Sequence, residues 1–220
     1  MPQSTRWPVA PQRPGAAPGD LEKVRALVNS SDLEQGTDDL ATQAGLASWL
    51  QAAGLAPADG PAAVSRTDLE QAVALREALR GVLRAHAAGP GPASAGPAGE
   101  LRRIAAGLAT RLEVSEDGRI GLAPAGSGVP GALARILLIA AEAATAGTWA
   151  RLKACAADDC QWAFYDRSPT RTGCWCSMRV CGARAKSRAY RRRASGPEPA
   201  VPVRPEAGPA MRSSHDRTAR

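Results

Sequence analysis

The sequence predicts a mainly α protein, in which a helical N-terminal domain with a small β-hairpin precedes a C-terminal four-cysteine module with a basic helix. Three observations predict this fold. Apolar residues recur at helical spacing through much of residues 20–148. Aromatic residues make up only 4% of the chain, so the core must be built from Ala, Leu and Val, which favours closely packed helices. All five cysteines lie within residues 151–193.

The N-terminal segment, residues 1–19, contains five prolines and no apolar period, which predicts a disordered leader. Nothing in it resembles a signal peptide, so a cytoplasmic, reducing location is expected. The helical domain is predicted to span residues 20–148. Its first helix is predicted at Leu21–Val28 with Asp20 as the N-cap, and residues 29–34 form a polar loop.

Two further helices are predicted before the middle of the chain. The first covers Leu46–Leu50 and is ended by a glycine four residues later. The second begins at Thr67 or Asp68 and continues to about Ala87, because its apolar residues recur at helical spacing. Residues 88–98 are rich in Gly, Pro and Ala, which predicts a linker.

The rest of the helical domain is predicted to contain a helix, a hairpin and a central helix. The helix covers Glu100–Thr110. The hairpin joins Arg111–Val114 to Arg119–Leu122 through an Asp-Gly turn. After a loop at 126–131, the apolar segment Leu133–Gly147 predicts the central buried helix. The longest apolar run lies inside this helix and is too short to cross a bilayer, so no membrane association is expected.

Four cysteines follow the pattern C-x4-C-x15-C-x4-C, which is typical of a structural zinc site: Cys155, Cys160, Cys176 and Cys181. Each short-range pair supplies two thiolates from one turn, and the intervening loop lets the two pairs meet. Two disulfides in a secreted domain are the alternative, and a reducing compartment disfavours them. The sequence therefore predicts one structural Zn²⁺ in a C-terminal zinc finger.

Cys174 lies two residues before Cys176, so either could be the third ligand. Ser177 is predicted to cap a helix that runs to about Arg193, which places Cys181 on its first turn. Because the start of this helix would then deliver Cys176 and Cys181 together, Cys176 is the predicted ligand and Cys174 a spare thiol.

The basic character of the chain is concentrated in residues 151–193. This segment carries eleven Lys and Arg against three Asp, a net charge of +8, whereas the whole chain carries +7. On a helix, Arg184, Arg188 and Arg191 fall on one stripe, where like charges repel and a polyanion would relieve the repulsion. Nucleic-acid phosphates are the predicted partner, and a solvated basic face is the alternative. The predicted nucleic-acid contacts are Arg179, Arg184, Lys186, Arg188, Arg191 and Arg192.

The cysteine module resembles the CGNR zinc finger family. The resemblance rests on Trp-Cys-Ser-Met at 175–178, on Cys-Gly-x-Arg-x-Lys at 181–186 and on Phe-x-Asp-x-Ser at 164–168. Ala183 replaces the Asn of the family signature. The predicted finger spans residues 149–193.

The start of the helical domain is similar to the ABATE domain, which precedes this finger in the family. The likeness covers residues 21–34, where Ser30 replaces the usual Thr, and continues with Asp-Asp-Leu at 38–40 and Trp-Leu at 49–50. The family is described as stress-induced transcriptional regulators in bacteria. The resemblance therefore implies a zinc-containing regulator whose basic helix binds DNA.

Arg76, Arg80 and Arg84 repeat at every fourth position of the long predicted helix. They form either a solvated face with ion pairs or part of a ligand pocket. In the second case Arg76, with Asn29 and Asp32, would bind a small-molecule effector that controls the finger.

Three functions fit these observations. The first is a DNA-binding regulator in which the helical domain senses a signal or forms a homodimer; an RNA-binding module and a protein-interaction module are the alternatives.

No hydrolase, metalloprotease or phosphate-loop motif occurs, and four thiolates would leave a zinc ion no open position for substrate, so no enzymatic activity is expected. Neither His86 nor His215 is an expected ligand. Residues 194–220 are predicted to be a disordered tail.

Overall fold

The computed structural model describes residues 15–56, 64–89 and 95–194. Most of the predicted leader and tail, residues 1–14 and 195–220, lies outside the described residues. The described part is mainly α, which confirms the predicted fold class. Its elements in chain order are α1 (Leu21–Val28), β1 (Ser31–Asp32), β2 (Thr37–Asp38), α2 (Gln43–Ala52), α3 (Arg66–Ala88), α4 (Ala95–Ala106), β3 (Thr110–Val114), β4 (Ile120–Pro124), α5 (Gly128–Thr145), β5 (Leu152–Ala154), β6 (Ala163–Tyr165) and α6 (Ala183–Ala194).

Helix α1 has the predicted bounds, and Asp20 occupies its N-cap position as predicted. The Asp20 side chain, however, makes no capping hydrogen bond. Its carboxylate instead pairs with Lys23 at 3.0 Å and with Arg135 of α5 at 3.5 Å. The predicted polar loop after α1 also contains the two-residue strand β1, which pairs antiparallel with β2.

Helices α2 and α3 begin earlier than predicted because their caps precede the apolar pattern. The side chain of Thr42 accepts a hydrogen bond from the Gly45 amide and starts α2 three residues before Leu46. Ser65 and Asp68 form a capping box, in which each side chain binds the other residue's amide, and this fixes the start of α3 at Arg66.

The predicted linker at residues 88–98 is wrong at its C-terminal end, since α4 begins at Ala95 and ends at Ala106. The predicted loop before α5 is wrong as well, because α5 begins at Gly128. Pro97 and Pro130 both lie in the first turn of these helices. An amide there has no partner within the helix, so a proline does not disrupt the helix as it would further in.

The predicted β-hairpin is present. Strands β3 and β4 pair antiparallel from Thr110 opposite Pro124 to Val114 opposite Ile120. The turn between them contains Gly118, whose φ of +80° is in the left-handed region that favours glycine.

One core joins the helical domain to the C-terminal module. Leucines of α1 and α3 and apolar residues of α5 pack with Leu152 and Ala154 of β5 and Ala163 of β6. Strands β5 and β6, which were not expected from the sequence, pair antiparallel. Helix α5 is long and apolar enough to cross a membrane, with a mean hydropathy of 1.4, but 56% of it is buried inside this fold.

Candidate metal centre and basic groove

The first cysteine pair is positioned by the end of β5. The Cys155 amide donates to the Trp162 carbonyl at 3.0 Å and so extends the β5–β6 ladder by one residue. The chain then turns, and the Cys160 amide donates to Ala157 at 3.0 Å. Cys155 and Cys160 are therefore buried at 0% and 1% exposure, with their thiols on the same turn.

The second pair is positioned by a wide helical turn at Met178–Gly182 that leads into α6. The Gly182 amide donates to the Ser177 carbonyl at 3.0 Å, five residues back rather than four. Ser177 has the extended backbone of an N-cap, but its side chain makes no capping bond, so the predicted cap is wrong in this respect. The wide turn still places Cys176 before the helix and Cys181 inside it.

The four thiols form a cluster whose dimensions fit one zinc ion. The sulfur atoms of Cys155, Cys160, Cys176 and Cys181 all lie within 4.8 Å of one another. The Cys160 and Cys176 sulfurs are 3.6 Å apart, and those of Cys176 and Cys181 are 3.8 Å apart. A tetrahedral ion with Zn–S bonds of about 2.3 Å requires sulfur atoms about 3.8 Å apart. The prediction of a single structural zinc is confirmed by this geometry and by the family comparison below.

The electrostatics of the cluster explain why it needs a cation. Hydrogen bonds from Cys160 and Cys176 lower the pKa of the Cys155 thiol. The interaction with Cys155 in turn raises the pKa of Cys176, and burial followed by the neighbouring thiolates raises the pKa of Cys181 to about 12. The cluster therefore stabilises one negative charge and resists the next ones. A zinc ion would neutralise them, and its binding would brace the two turns against each other.

Cys174 lies outside the four-thiol cluster. Its carbonyl accepts the Ala156 amide at 2.9 Å, which ties the loop to the first cysteine turn. His86 is also outside the cluster, and its Nδ1 lies 2.8 Å from the Leu152 carbonyl.

A buried ion pair that was not expected from the sequence shapes the loop before the second cysteine pair. The Lys153 ammonium lies 2.8 Å from the Asp166 carboxylate, with both side chains 4% exposed. It also donates to the carbonyls of Arg171 and Gly173. Burial opposes the charge on Asp166, but hydrogen bonds from Lys153, Ser168 and the Gly173 amide outweigh it and hold the pKa below its usual range. Lys153 is thus neutralised inside the module and is not available to a partner.

The three residues of the predicted ligand pocket, Asn29, Asp32 and Arg76, each bind protein groups. The Asn29 side chain donates to the Ala163 carbonyl at 3.0 Å and accepts from the Ala163 amide at 2.7 Å, so it joins α1 to β6. Asp32 accepts the amides of Glu34 and Gln35 in its own turn. Arg76 binds both carboxylate oxygens of Asp38, at 2.7 and 3.0 Å. An effector at any of these positions would have to compete with these bonds.

The arginine row of α3 is not a solvated face. Arg80 is 3% exposed and donates to the Val28 carbonyl at 2.8 Å. Arg84 pairs at 2.7 Å with Asp158, which lies between the first two cysteines. The row therefore connects α3 to α1 and to the metal centre.

The basic residues of the finger helix line an open groove of about 540 Å³. Its lining residues are Arg179, Val180, Ala183, Arg184, Ser187, Arg188 and Arg191. Four of the six predicted nucleic-acid residues therefore meet at one surface, whereas Lys186 and Arg192 are not part of the groove lining. Ala183, where the family signature has Asn, also lines it.

Two acidic side chains reach this groove from outside α6. Glu34, in the turn between β1 and β2, pairs with Arg184 at 2.7 Å. Asp159, in the first cysteine turn, lies 3.9 Å from Arg188. Side chains of Arg184 and Arg188 remain 47% and 40% exposed, so both can be reached from solvent.

Comparison with known proteins gives two family matches that together cover most of the chain. Residues 151–194 match the CGNR zinc finger. Residues 10–152 match the ABATE family, whose description is "Putative stress-induced transcription regulator". The two resemblances that the sequence suggested are thereby confirmed. A search of curated proteins finds no match to the chain.

Proposed function

This chain belongs to the ABATE family and carries a CGNR zinc finger, and from that premise we propose that it regulates transcription by binding DNA through the basic groove of the finger. The zinc is structural in this proposal. The ABATE domain holds the finger and supplies the surface for sensing or assembly.

The observation that carries the proposal is the convergence of Arg179, Arg184, Arg188 and Arg191 on one open groove. The seven residues that line the groove include no acid, and Glu34 and Asp159 approach it only through their pairs with Arg184 and Arg188. Guanidinium groups bind phosphate oxygens in a bidentate manner, and a row of them matches the repeating charge of a nucleic-acid backbone.

The position of the groove also supports a function in binding. The wide helical turn at Met178–Gly182 contains Cys181 and leads directly into α6. The four-thiol cluster therefore fixes this turn and the start of α6, which carry Arg179 and Arg184. A basic helix held this way presents its charges without a large loss of conformational freedom on binding, which favours affinity.

The intramolecular acids at the groove do not prevent this function. Exposed ion pairs such as those of Glu34 and Asp159 contribute only about 0–1 kcal/mol each. Phosphates, which release condensed counterions on binding, can replace them. The exchange would make binding sensitive to salt.

The same geometry favours a protein without enzymatic activity. Four thiolates complete the coordination shell of a zinc ion, so the site is of the structural class. A regulator that acts on DNA is expected in the cytoplasm.

The proposal is tested by titrating the zinc-loaded chain into fluorescent duplex DNA at about 0.15 M salt and then adding unlabelled duplex DNA or RNA as competitor. We expect the chain to bind the labelled DNA. Unlabelled duplex DNA should displace the labelled DNA more effectively than RNA of the same length. Stronger competition by RNA would assign the groove to RNA instead. No binding to either nucleic acid would contradict the proposal.

A further inference from the structure

The outward face of the β3–β4 hairpin exposes four large aliphatic side chains. Leu112 and Ile120 are each 73% exposed, Val114 is 66% exposed and Leu122 is 51% exposed. Soluble monomers rarely leave so many neighbouring aliphatic groups in water, and a contiguous patch of roughly 400 Å² is commonly an interaction site.

The register shows that these side chains form one continuous surface. Leu112 lies opposite Leu122 and Val114 lies opposite Ile120, so the four belong to two adjacent cross-strand pairs. Side chains alternate between the two faces of a strand, which places all four on the same face. The residues between them are Glu113 and Gly121, which lie opposite each other on the other face.

The apolar face of this hairpin is the one turned away from α5. Strand β4 packs on α5 through the buried Ala123, which shares its face with Arg111 and Glu113, and those two side chains remain 55% and 58% exposed. All five residues of β3 are exposed. An antiparallel sheet with one solvated face normally directs its apolar residues to the core and its polar residues to water. The apolar face here needs a partner to bury it.

We propose that this hairpin face is a homodimer interface, on which the same face of a second copy packs. The face is aliphatic and carries no charge, so two copies related by a two-fold axis meet without repulsion. Complete burial of the exposed area of these eight side chains would remove roughly 900 Å² from water, which is in the range of weak, reversible interfaces below about 1,200 Å². A high apolar fraction is also characteristic of homodimer interfaces.

The interface does not depend on DNA binding, because the groove residues lie on a different element. A dimer would, however, carry two basic grooves and could contact two half-sites on one duplex. If the chain does not bind DNA, it can still form the dimer. If the chain is monomeric, it can still bind DNA through its single groove.

The proposal is tested by sedimentation of the zinc-loaded full chain without DNA, over a range of about 1 to 100 µM. We expect a dimer with a dissociation constant in the micromolar range. The double variant Leu112→Thr with Ile120→Thr keeps the strand preference of both positions but removes most of their apolar surface. It should raise the dissociation constant at least tenfold.

The variant Glu113→Gln, on the opposite face of the same strand, is the matched control and should dimerise as the original chain does. Hydrogen exchange on the original chain gives a second measurement that needs no variant, and amides of residues 110–124 should gain protection as concentration rises. A monomer at 100 µM, equal dimerisation by the double variant, or concentration-independent exchange of the hairpin would each overturn the proposal.

Discussion

At the scale of single residues, the choice between Cys174 and Cys176 depends on the geometry of one turn. The Cys176 sulfur lies 3.6 and 3.8 Å from two other cluster sulfurs, whereas Cys174 contributes its carbonyl to the Ala156 amide and lies outside the cluster. The two cysteines are separated by one residue in sequence, so only their positions in three dimensions distinguish them.

We predict that Cys176→Ser loses zinc and unfolds the finger, while Cys174→Ser retains one zinc per chain. Binding of a structural zinc contributes on the order of 10 kcal/mol to the folding of small fingers, so loss of one thiolate has a large effect. Metal analysis and far-UV circular dichroism of the two variants provide the measurement. Retention of zinc by Cys176→Ser together with its loss from Cys174→Ser would reverse the assignment.

Residue type alone does not show which basic and polar side chains are available to a ligand. Lys153 contributes to the high positive charge of the finger segment, yet it is buried and paired with Asp166. Asn29 and Arg76 have the chemistry of ligand-binding residues, yet Asn29 binds Ala163, and Arg76 binds Asp38 and Glu77. The sequence shows which groups are polar, but their partners are set by contacts between residues 38 to 134 positions apart.

At the scale of elements, helices and the hairpin could be predicted because each has a repeating apolar pattern of sufficient length. Strands β5 and β6 could not, since three residues are too few to show a period. These two strands matter for the whole fold. Leu152, Ala154 and Ala163 are all completely buried in the core that α1, α3 and α5 form.

We predict that removal of the metal destabilises the helical domain as well as the finger. The shared core and the Asn29–Ala163 bonds couple the two parts. A strong chelator should lower the free energy of unfolding measured from the helical signal by at least about 3 kcal/mol, because loss of a bound metal removes its linkage to folding. Thermal unfolding with and without chelator measures this, and an unchanged transition of the helical signal would show that the two parts are separate folding units.

Glu34, in the turn between β1 and β2, competes with DNA for Arg184 of α6. We predict that Glu34→Gln, which releases Arg184 from its 2.7 Å ion pair, strengthens DNA binding about two- to fivefold. Glu70→Gln is the matched control, since Glu70 is an exposed acid on α3 that pairs with Arg66 and its loss changes the net charge equally. Equal strengthening by both variants would mean that net charge alone is responsible.

At the scale of the whole molecule, the fold class, the metal and the family could be predicted from the sequence. Cysteine spacing and helical periodicity are local patterns, so they can be recognised without knowledge of the tertiary structure. The acids at the basic groove and the outward apolar face of the hairpin could not be predicted, because each depends on how distant elements pack.

We propose above all that the basic groove of the zinc-braced helix binds nucleic-acid phosphates. The test combines Arg184→Ala, Arg188→Ala and Arg191→Ala in one chain. The control combines Arg66→Ala, Arg103→Ala and Arg119→Ala, three exposed arginines of the ABATE domain that carry the same total charge. Zinc content and helical signal should be unchanged in both variants, since no thiol is altered and Ala is a good helix former.

The measurement is the affinity for duplex DNA at several salt concentrations. Each lost phosphate contact lowers the slope of log K against log salt by about 0.9, so the groove variant should lose about 2.7 from the slope and at least tenfold in affinity at low salt. The control variant should keep the original slope within about 0.9. A zinc-loaded groove variant with the affinity and slope of the original chain would contradict the account.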